Sequence, residues 1–532
     1  MRRWTSVNRR ARSAPTVHYS LVALVAVASL VGVMSTASAH TRTATATQAA
    51  AKPTLRIGLP YSAFQYYKNI ADIPNSGQSG ALELSLGYSS LFHMEPNGTV
   101  VGELASSGSY FNPGTGAQKG FEFTLIHGVR FSDGTPLTAA AMVDYLDFYA
   151  KQVGGYQGLF GKDPKFTAVG KWEVRMVLTV PVNDMETVLS DVGDFWGTPA
   201  SPACVANPTL FTNATCGTGP YKLDTAVSVP NSSYVYVPNP YYYDKAAVKY
   251  SRVIEDIIPE PASELAALQA GQLNFAYVAS DSSTVSAARS AGLKVESAPI
   301  GAYQLLLNEK DPSTSALTNS LVREAISYAL DRPALAQLVG PGGYAEATDL
   351  FPVTDISDPS YAGHFTYDPA KARALLAQAG YSNGLTLNLA LIEARTQDQT
   401  MFNGVAQELK AVGITLNPIN YTSPSSIFSN AGYLLTTIGN TTQVQYSSWL
   451  SAGNPVTTWP ADSYMVSLYN KAIRATNPVP DWRQMLQYES QESYFVTICS
   501  VSGIWYVTKS VQGVDVTGPR IGAVLINELS PS

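Results

Sequence analysis

An α/β fold is predicted for this chain from three observations. Residues 368–419 alternate strand and helix with short connections, a second helix-to-strand step occupies 264–278, and the composition is that of a protein with a large core. Of 532 residues, 45% are hydrophobic and 14% charged, which excludes wholesale disorder, collagen and coiled coil. The length corresponds to about three average domains, or equally to two large lobes.

In chain order, residues 1–39 are expected to be a secretory signal. Five arginines without an acid precede the apolar run Leu21–Val33, and Ala37-Ser38-Ala39 offers the small side chains a signal peptidase accepts. That run holds 13 residues, against about 20 needed to cross hydrocarbon. Arg9-Arg10 resembles a twin-arginine export signal, but Ala11-Arg12-Ser13 lacks its apolar residues, so ordinary secretion is the expectation. Residues 40–53, rich in Ala and Thr, read as a flexible tether, and no cysteine near the cleavage site offers a lipid anchor.

Phe121–Leu125, Trp172–Val180 and Tyr221–Leu223 read as strands separated by Gly, Pro and Asn. Between them Cys204 and Cys216 can close a short disulfide loop in an oxidising compartment, the alternative being two reduced, buried thiols. Trp196, in Phe195-Trp196-Gly197, reads as a structural ring. Glu264–Ala270 forms a short helix stopped by Gly271, then the strand Leu273–Val278; Leu321, Val322, Ala325, Ile326 and Ala329 line one helix face, which Pro333 breaks or restarts.

The clearest grammar follows. Asp368 caps a helix with Pro369 at its first position and Gly380 beyond its last turn. Leu385, Leu387, Leu389 and Leu391 alternate as a strand with one buried face, a helix runs from about Met401 to Val412, and Ile414–Ile419 resumes a strand. Such a unit favours a parallel pair with a right-handed crossover. Cys499, in the apolar run Tyr494–Cys499, reads as a small core residue.

Charge and chemistry narrow the function. Beyond residue 39 the chain carries 29 basic and 40 acidic residues, net −11, a surface that repels phosphate backbones and anionic lipid, so no nucleic-acid partner is expected. Past His40 only His93, His127 and His364 remain, without zinc-site spacing, and no metal or cofactor is expected. Gly340-Pro341-Gly342-Gly343 lacks the Lys of a phosphate loop and reads as a turn. Gly380-Tyr381-Ser382-Asn383-Gly384 matches the hydrolase nucleophile pattern, but a helix enters and a strand leaves, the reverse of that elbow. A paired-carboxylate hydrolase is not excluded by spacing alone.

Five segments in series resemble the extracellular solute-binding proteins of ABC importers of the oligopeptide, dipeptide and nickel type, family 5. They are Gly128-Val129-Arg130-Phe131-Ser132-Asp133-Gly134-Thr135-Pro136-Leu137-Thr138-Ala139; Gly217-Thr218-Gly219-Pro220-Tyr221; Asn239-Pro240 with Tyr242; Val322 to Arg332; and Tyr367-Asp368-Pro369 through Gly380-Tyr381. These are turn and capping chemistry and mark the fold rather than a ligand.

The resemblance implies a two-lobed, periplasmic-binding-protein-like α/β fold (class II, large, with an extra subdomain in the first lobe), the lobes joined by crossing strands. The first lobe is expected at 54–298 plus 499–532, the second at 299–498. It implies a non-enzymatic, monomeric receptor outside the cell membrane, closing on a peptide-like solute and delivering it to permease subunits. Family position places Tyr61, Phe64, Tyr303, Tyr344, Asn440, Gln443, Tyr446 and Trp449 toward the ligand. Where peptide binders of the family carry an acidic segment, Gly439 to Gln445 has no acid, so a charged ammonium would be buried without a partner. A neutral oligosaccharide is therefore the alternative ligand, and a secreted hydrolase the alternative from another class.

Overall fold

The computed structural model describes residues 52–61, 77–114, 119–152, 160–161, 163–192, 195–278, 282–307, 312–338, 364–392, 396–421, 433–438, 462–475, 477–516 and 523–532. The expected signal lies outside them, as does the tether except for Lys52 and Pro53. Pro53 is already tied down, its carbonyl accepting from Ser251 N at 2.9 Å.

One ten-stranded sheet organises the body. Its strands run in the order Ile414–Tyr421, Leu385–Ile392, Tyr433–Ile438, Lys294–Leu306, Phe495–Val507, Phe275–Tyr277, Thr54–Leu59, Arg252–Ile257, Ser233–Pro238 and Tyr221–Leu223. The two central strands are the longest, 13 residues each, and pair antiparallel along their whole length. On one side lie strands from residues 54–277, on the other strands from residues 385–438.

The central pair passes from one hydrophobic core to another. Tyr303, Leu305, Val496, Ile498, Cys499 and Val501 pack with the helices and strands of 317–414. Ala298, Trp505 and Val507 pack instead with Leu55, Ile57, Tyr236, Val253 and Phe275. The register of the pair shifts between Pro299 and Gly301, where the strand leaves one core for the other, and again between Tyr303 and Gln304, within the second core. Such bulges re-aim side chains without ending a strand. Phe495–Val507 is buried at all its positions, which explains its lack of polar alternation beyond Thr and Ser.

A second, four-stranded antiparallel sheet stands apart from the first, in the order Ala105–Phe111, Lys119–Leu125, Glu173–Leu178, Lys165–Val169. Phe121, Phe123, Val174 and Met176 line its inner face against the helix Ala139–Tyr149, which Thr138 caps by accepting from Ala141 N. Trp196 is fully buried there, with ring centroids 4.9 Å from Tyr149 and 4.4 Å from Phe160, a packing role. In the same core a disulfide joins Cys204 to Cys216.

In the second half, Asp368 Oδ1 accepts from Lys371 N at 2.9 Å and caps Pro369–Gln378, and Gly380 continues with φ of 92°. That left-handed turn is the reason for glycine there. Leu385–Ile392 pairs parallel with Ile414–Tyr421, as the alternation predicts. The intervening helix begins at Thr396 rather than Met401, because its first polar turn carries no apolar stripe to read. Similarly the helix predicted from Glu264 starts at Pro261, and the strand predicted over Leu273–Val278 contracts to Phe275–Tyr277. Pro333 restarts a helix, Arg332–Leu338.

Candidate functional site

The five sequence segments condense into two knots. In the first, Ser132 N donates to Gly217 O at 2.9 Å and Ser132 Oγ to Thr215 O at 2.5 Å. Asn239 Nδ2 donates to Gly219 O at 2.8 Å, while Gly219 N donates to Gly87 O at 3.0 Å. A Cβ on Gly219 would stand 2.3 Å from Tyr88 N, so only glycine admits this backbone crossing. Asp133 Oδ1 accepts from both Thr135 N and Thr135 Oγ1, fixing the turn that precedes the Thr138 cap.

The second knot ties 322–332 to 367–381. Asp368 N donates to Tyr328 O at 2.8 Å and Lys371 Nζ to the Tyr328 hydroxyl at 2.6 Å. Arg323, 3% exposed, donates to Leu317 O and Glu492 O; Arg332 donates to Ser327 O, Phe365 O and Thr497 O. Burial pulls the Arg332 guanidinium down to about 10, with the Glu408 charge opposing. Both arginines thus pin a helix to the crossing strand Phe495–Val507 or the turn before it. In both knots the conspicuous residues are occupied with the fold.

The crossing strands carry polar groups of another kind. Ala302 stands opposite Ser500 and Gln304 opposite Thr497, with Ser502 two residues further along. Opposed residues share a face, so Gln304, Thr497, Ser500 and Ser502 form one polar row, while Tyr303 and its partner Cys499 face the other way into the core. All four are buried, from 0% to 6% exposed, and Gln304 Nε2 lies 3.4 Å from Thr497 Oγ1. Enclosed amides and hydroxyls are costly unless partnered, so such a row marks a place built for polar contacts. The row is hard to see in the sequence because Thr497, Ser500 and Ser502 sit in an apolar run. The signal available was their near-alternation on one strand. Away from the crossing pair, Asn183 Nδ2 donates to Ala475 O at 3.2 Å, with Lys119 Nζ donating to Asn183 Oδ1 at 2.9 Å, a direct bridge between the first and second halves of the chain.

Of the ring and amide residues expected at the ligand, Tyr61 lies two residues beyond the first strand and is half-buried. Tyr303 is 1% exposed within the core of the second half. Phe64, Tyr344, Asn440, Gln443, Tyr446 and Trp449 lie outside the described residues, as does the turn at 340–343. Only Tyr61 and Tyr303 of the expected set thus fall among the described residues.

Two buried carboxyls are unexpected. Glu255, fully buried on the strand beside Thr54–Leu59, is raised well above the carboxylate range by burial and then by the neighbouring Glu83. Glu264 is fully buried too, neither carboxyl oxygen has a hydrogen-bond partner among the described residues, and burial pushes it up to about 9. Ser382 lies exposed in the turn between a helix and Leu385–Ile392, without the entering strand that a nucleophile elbow needs. Cys499 is buried and its thiol is pushed up to about 12 by that burial, far from a reactive thiolate. Among the described residues no cluster of three or more His, Cys, Asp or Glu could hold a metal ion.

Two α/β halves that share one sheet through a pair of long crossing strands define a two-lobed, periplasmic-binding-protein-like molecule. The model of the bacterial extracellular solute-binding proteins, family 5 (middle), matches residues 99–475, and the chain belongs to that family. It is 26% identical over 330 residues to the glutathione-binding protein GsiB of Escherichia coli strain K12, covering 62% of each chain. It thus spans under two thirds of the length of the curated relatives it matches. Among solved structures, the PBP AgaA in complex with agropinic acid, from A. tumefaciens R10, superposes with a TM-score of 0.76 at 20% identity over 90% of this chain and 99% of that one. The oligopeptide-binding protein AppA of Bacillus subtilis, in complex with a nonapeptide, gives 0.69 at 16% identity over 91% and 99%. NikA of Staphylococcus aureus, in complex with Ni(L-His)2, gives 0.70 at 16% over 90% and 100%. At these identities the solved structures speak for the fold.

Proposed function

We propose that this chain is the extracytoplasmic receptor of an ABC import system, closing two lobes on a peptide-like solute and handing it to membrane permease subunits without covalent chemistry. The observation that carries the reading is the shared sheet: two cores, one on each end of the crossing strands, with a register shift between Pro299 and Gly301 at the changeover. Residues 54–298 with 499–532 form the proposed first lobe and 299–498 the second. A jaw of this kind moves by small changes at the strands that join its halves.

The proposed ligand surface combines the buried polar row Gln304, Thr497, Ser500 and Ser502 with Tyr61 and, by family position, Phe64, Tyr344, Asn440, Gln443, Tyr446 and Trp449; Tyr303, turned into the core on the opposite face, is left out of it. A few placed polar groups among aromatic walls suit an amide-rich neutral solute. A relative is named for binding glutathione, and proteins of the same fold have been solved in complex with a nonapeptide, agropinic acid and a nickel–histidine complex. The acid-free segment Gly439 to Gln445 favours a solute without a free ammonium, which keeps a neutral oligosaccharide as the second reading. Residues 1–39 are the proposed export signal, and the working form is proposed to be a monomer.

Thermal unfolding against libraries of peptides, N-blocked peptides and neutral sugars tests this. A ligand at a hundred times its Kd stabilises the native state by about 2.7 kcal/mol and raises Tm. A shift with blocked peptides is expected; shifts with sugars alone would transfer the assignment to the second reading, and chemical turnover of any bound compound would end the receptor proposal.

A further inference from the structure

His93, on the short strand Phe92–Met94, is held from two sides. Its Nδ1 stands 2.5 Å from Asp191 Oδ2, and Asp191 Oδ1 accepts from Met94 N at 3.0 Å. Its Nε2 faces Glu528 Oε1 at 3.8 Å, on the one-turn helix Ile526–Glu528 near the C-terminus. Glu103 is the third carboxylate acting on the ring; its oxygens accept from Ser90 N and from the Tyr243 hydroxyl, each at 3.0 Å, with the Tyr242 ring tilted against that of Tyr243. The charges that shift the imidazole are all negative: Asp191, Glu103 and Glu528. Side chains of His93, Asp191 and Glu528 are 16%, 15% and 21% exposed, so they are only partly screened by water.

We propose that His93 is a proton-operated latch that fastens the C-terminal segment Ala523–Ser532 to the wall formed by Phe92–Met94 and Asp191, closed while the imidazole is a cation. The geometry dictates which contact fails on deprotonation. A cationic ring donates from both nitrogens, to Asp191 and toward Glu528. A neutral ring held by Asp191 keeps its proton on Nδ1, so the Nε2 lone pair then faces the Glu528 carboxylate, and attraction becomes repulsion. Other anchors of the segment include apolar burial of Val524, Leu525, Ile526 and Leu529, the bond from Ile526 N to Ser85 Oγ at 2.9 Å, that from Ser532 N to Ser510 O at 3.2 Å, and a two-residue strand pairing with Val511–Gln512.

Burial lowers the basicity of His93, but the Asp191 hydrogen bond and the three negative charges outweigh it and leave the ring more basic than usual. Burial, helped by the Asp191 charge, pushes Glu103 up to about 7. Both groups are raised on folding, so what they contribute is fully present in acid and lost as pH rises through their folded values. An acid-fastened, alkali-loosened segment follows, independent of which solute the receptor carries.

Hydrogen–deuterium exchange of the full-length protein, corrected for the intrinsic pH dependence and read on peptides covering 523–532 at about pH 5.5 and about pH 8.5, tests the latch. Wild type is expected to lose protection there by about tenfold or more, and His93→Gln to show a flat profile. Equal wild-type protection at both pH values, or the same slope in His93→Gln, overturns the proposal. Should that variant fail to fold, an NMR titration of the wild-type imidazole decides: a His93 pKa above about 6.5 that falls in Glu528→Gln supports the latch, and one at or below 6.5, or unmoved in Glu528→Gln, refutes it.

Discussion

Replacing Glu264 with methionine should stabilise this protein, and by an amount that grows with pH. Glu264 lies in the first turn of Pro261–Gln269, fully buried against the first strand, where a Cβ on Gly58 would sit 3.2 Å from its Oε1 and 2.7 Å from Leu273 Cδ1. Neither carboxyl oxygen has a hydrogen-bond partner among the described residues, and burial raises the group from 4.5 to about 9. A folded value above the unfolded one means that its stabilising contribution is complete below pH 4.5 and disappears as pH climbs toward 9. Each unit is about 1.4 kcal/mol, so at pH 7 wild type has lost about 3 kcal/mol that a non-titrating side chain never loses. Methionine nearly conserves the volume, and glutamine serves as the isosteric control. Urea midpoints at about pH 5, 6, 7 and 8 should show a variant-minus-wild-type difference rising by about 1.4 kcal/mol per pH unit. A difference that stays constant across this range would show that Glu264 folds ionised and would refute the reasoning.

Other perturbations have equally definite outcomes. Cys204→Ser opens a loop with a separation of 12 residues and should cost about 3 kcal/mol, read as a lower urea midpoint that reductant reproduces in wild type. Gly219→Ala drives a Cβ into the backbone of Gly87 and Tyr88 and should destabilise by more than about 4 kcal/mol; near-normal thermal unfolding would show the first knot to be dispensable. Asp462→Ala removes an acceptor shared by Tyr464 N, Met465 N and the hydroxyls of Tyr488 and Tyr494, costing about 3 kcal/mol. Burial opposes ionisation of Asp462, but bonds from Tyr494, Met465, Tyr488 and Tyr464 prevail and lower its pKa. Its contribution should therefore be present at neutral pH and vanish as acid titrates it, so the wild-type advantage over the variant should shrink on acidification.

Much of the fold is local and therefore readable. Asp368-Pro369 and Gly380 bound a helix by capping chemistry that involves only neighbours, and the leucines of 385–391 announce a one-sided strand through a period of two. Element starts were less legible: Thr396 to Gln399 belong to a helix whose first turn has no apolar position to reveal it. The candidate site was harder still. Aromatic residues attract the eye, yet Tyr303 packs into a core, while the polar row on its strand is carried by Gln304 and by small residues of the partner strand.

What the residues determined alone is the α/β grammar, the capped helices, the turn glycines and a family signature, because each depends on interactions a few positions apart. The tertiary structure decided which segments meet: Ser132 on Gly217, Arg332 on Thr497, His93 between Asp191 and Glu528. Those contacts join residues more than eighty positions apart, and their energies depend on burial and on the sign of the neighbouring charge, quantities that exist only after the chain has folded.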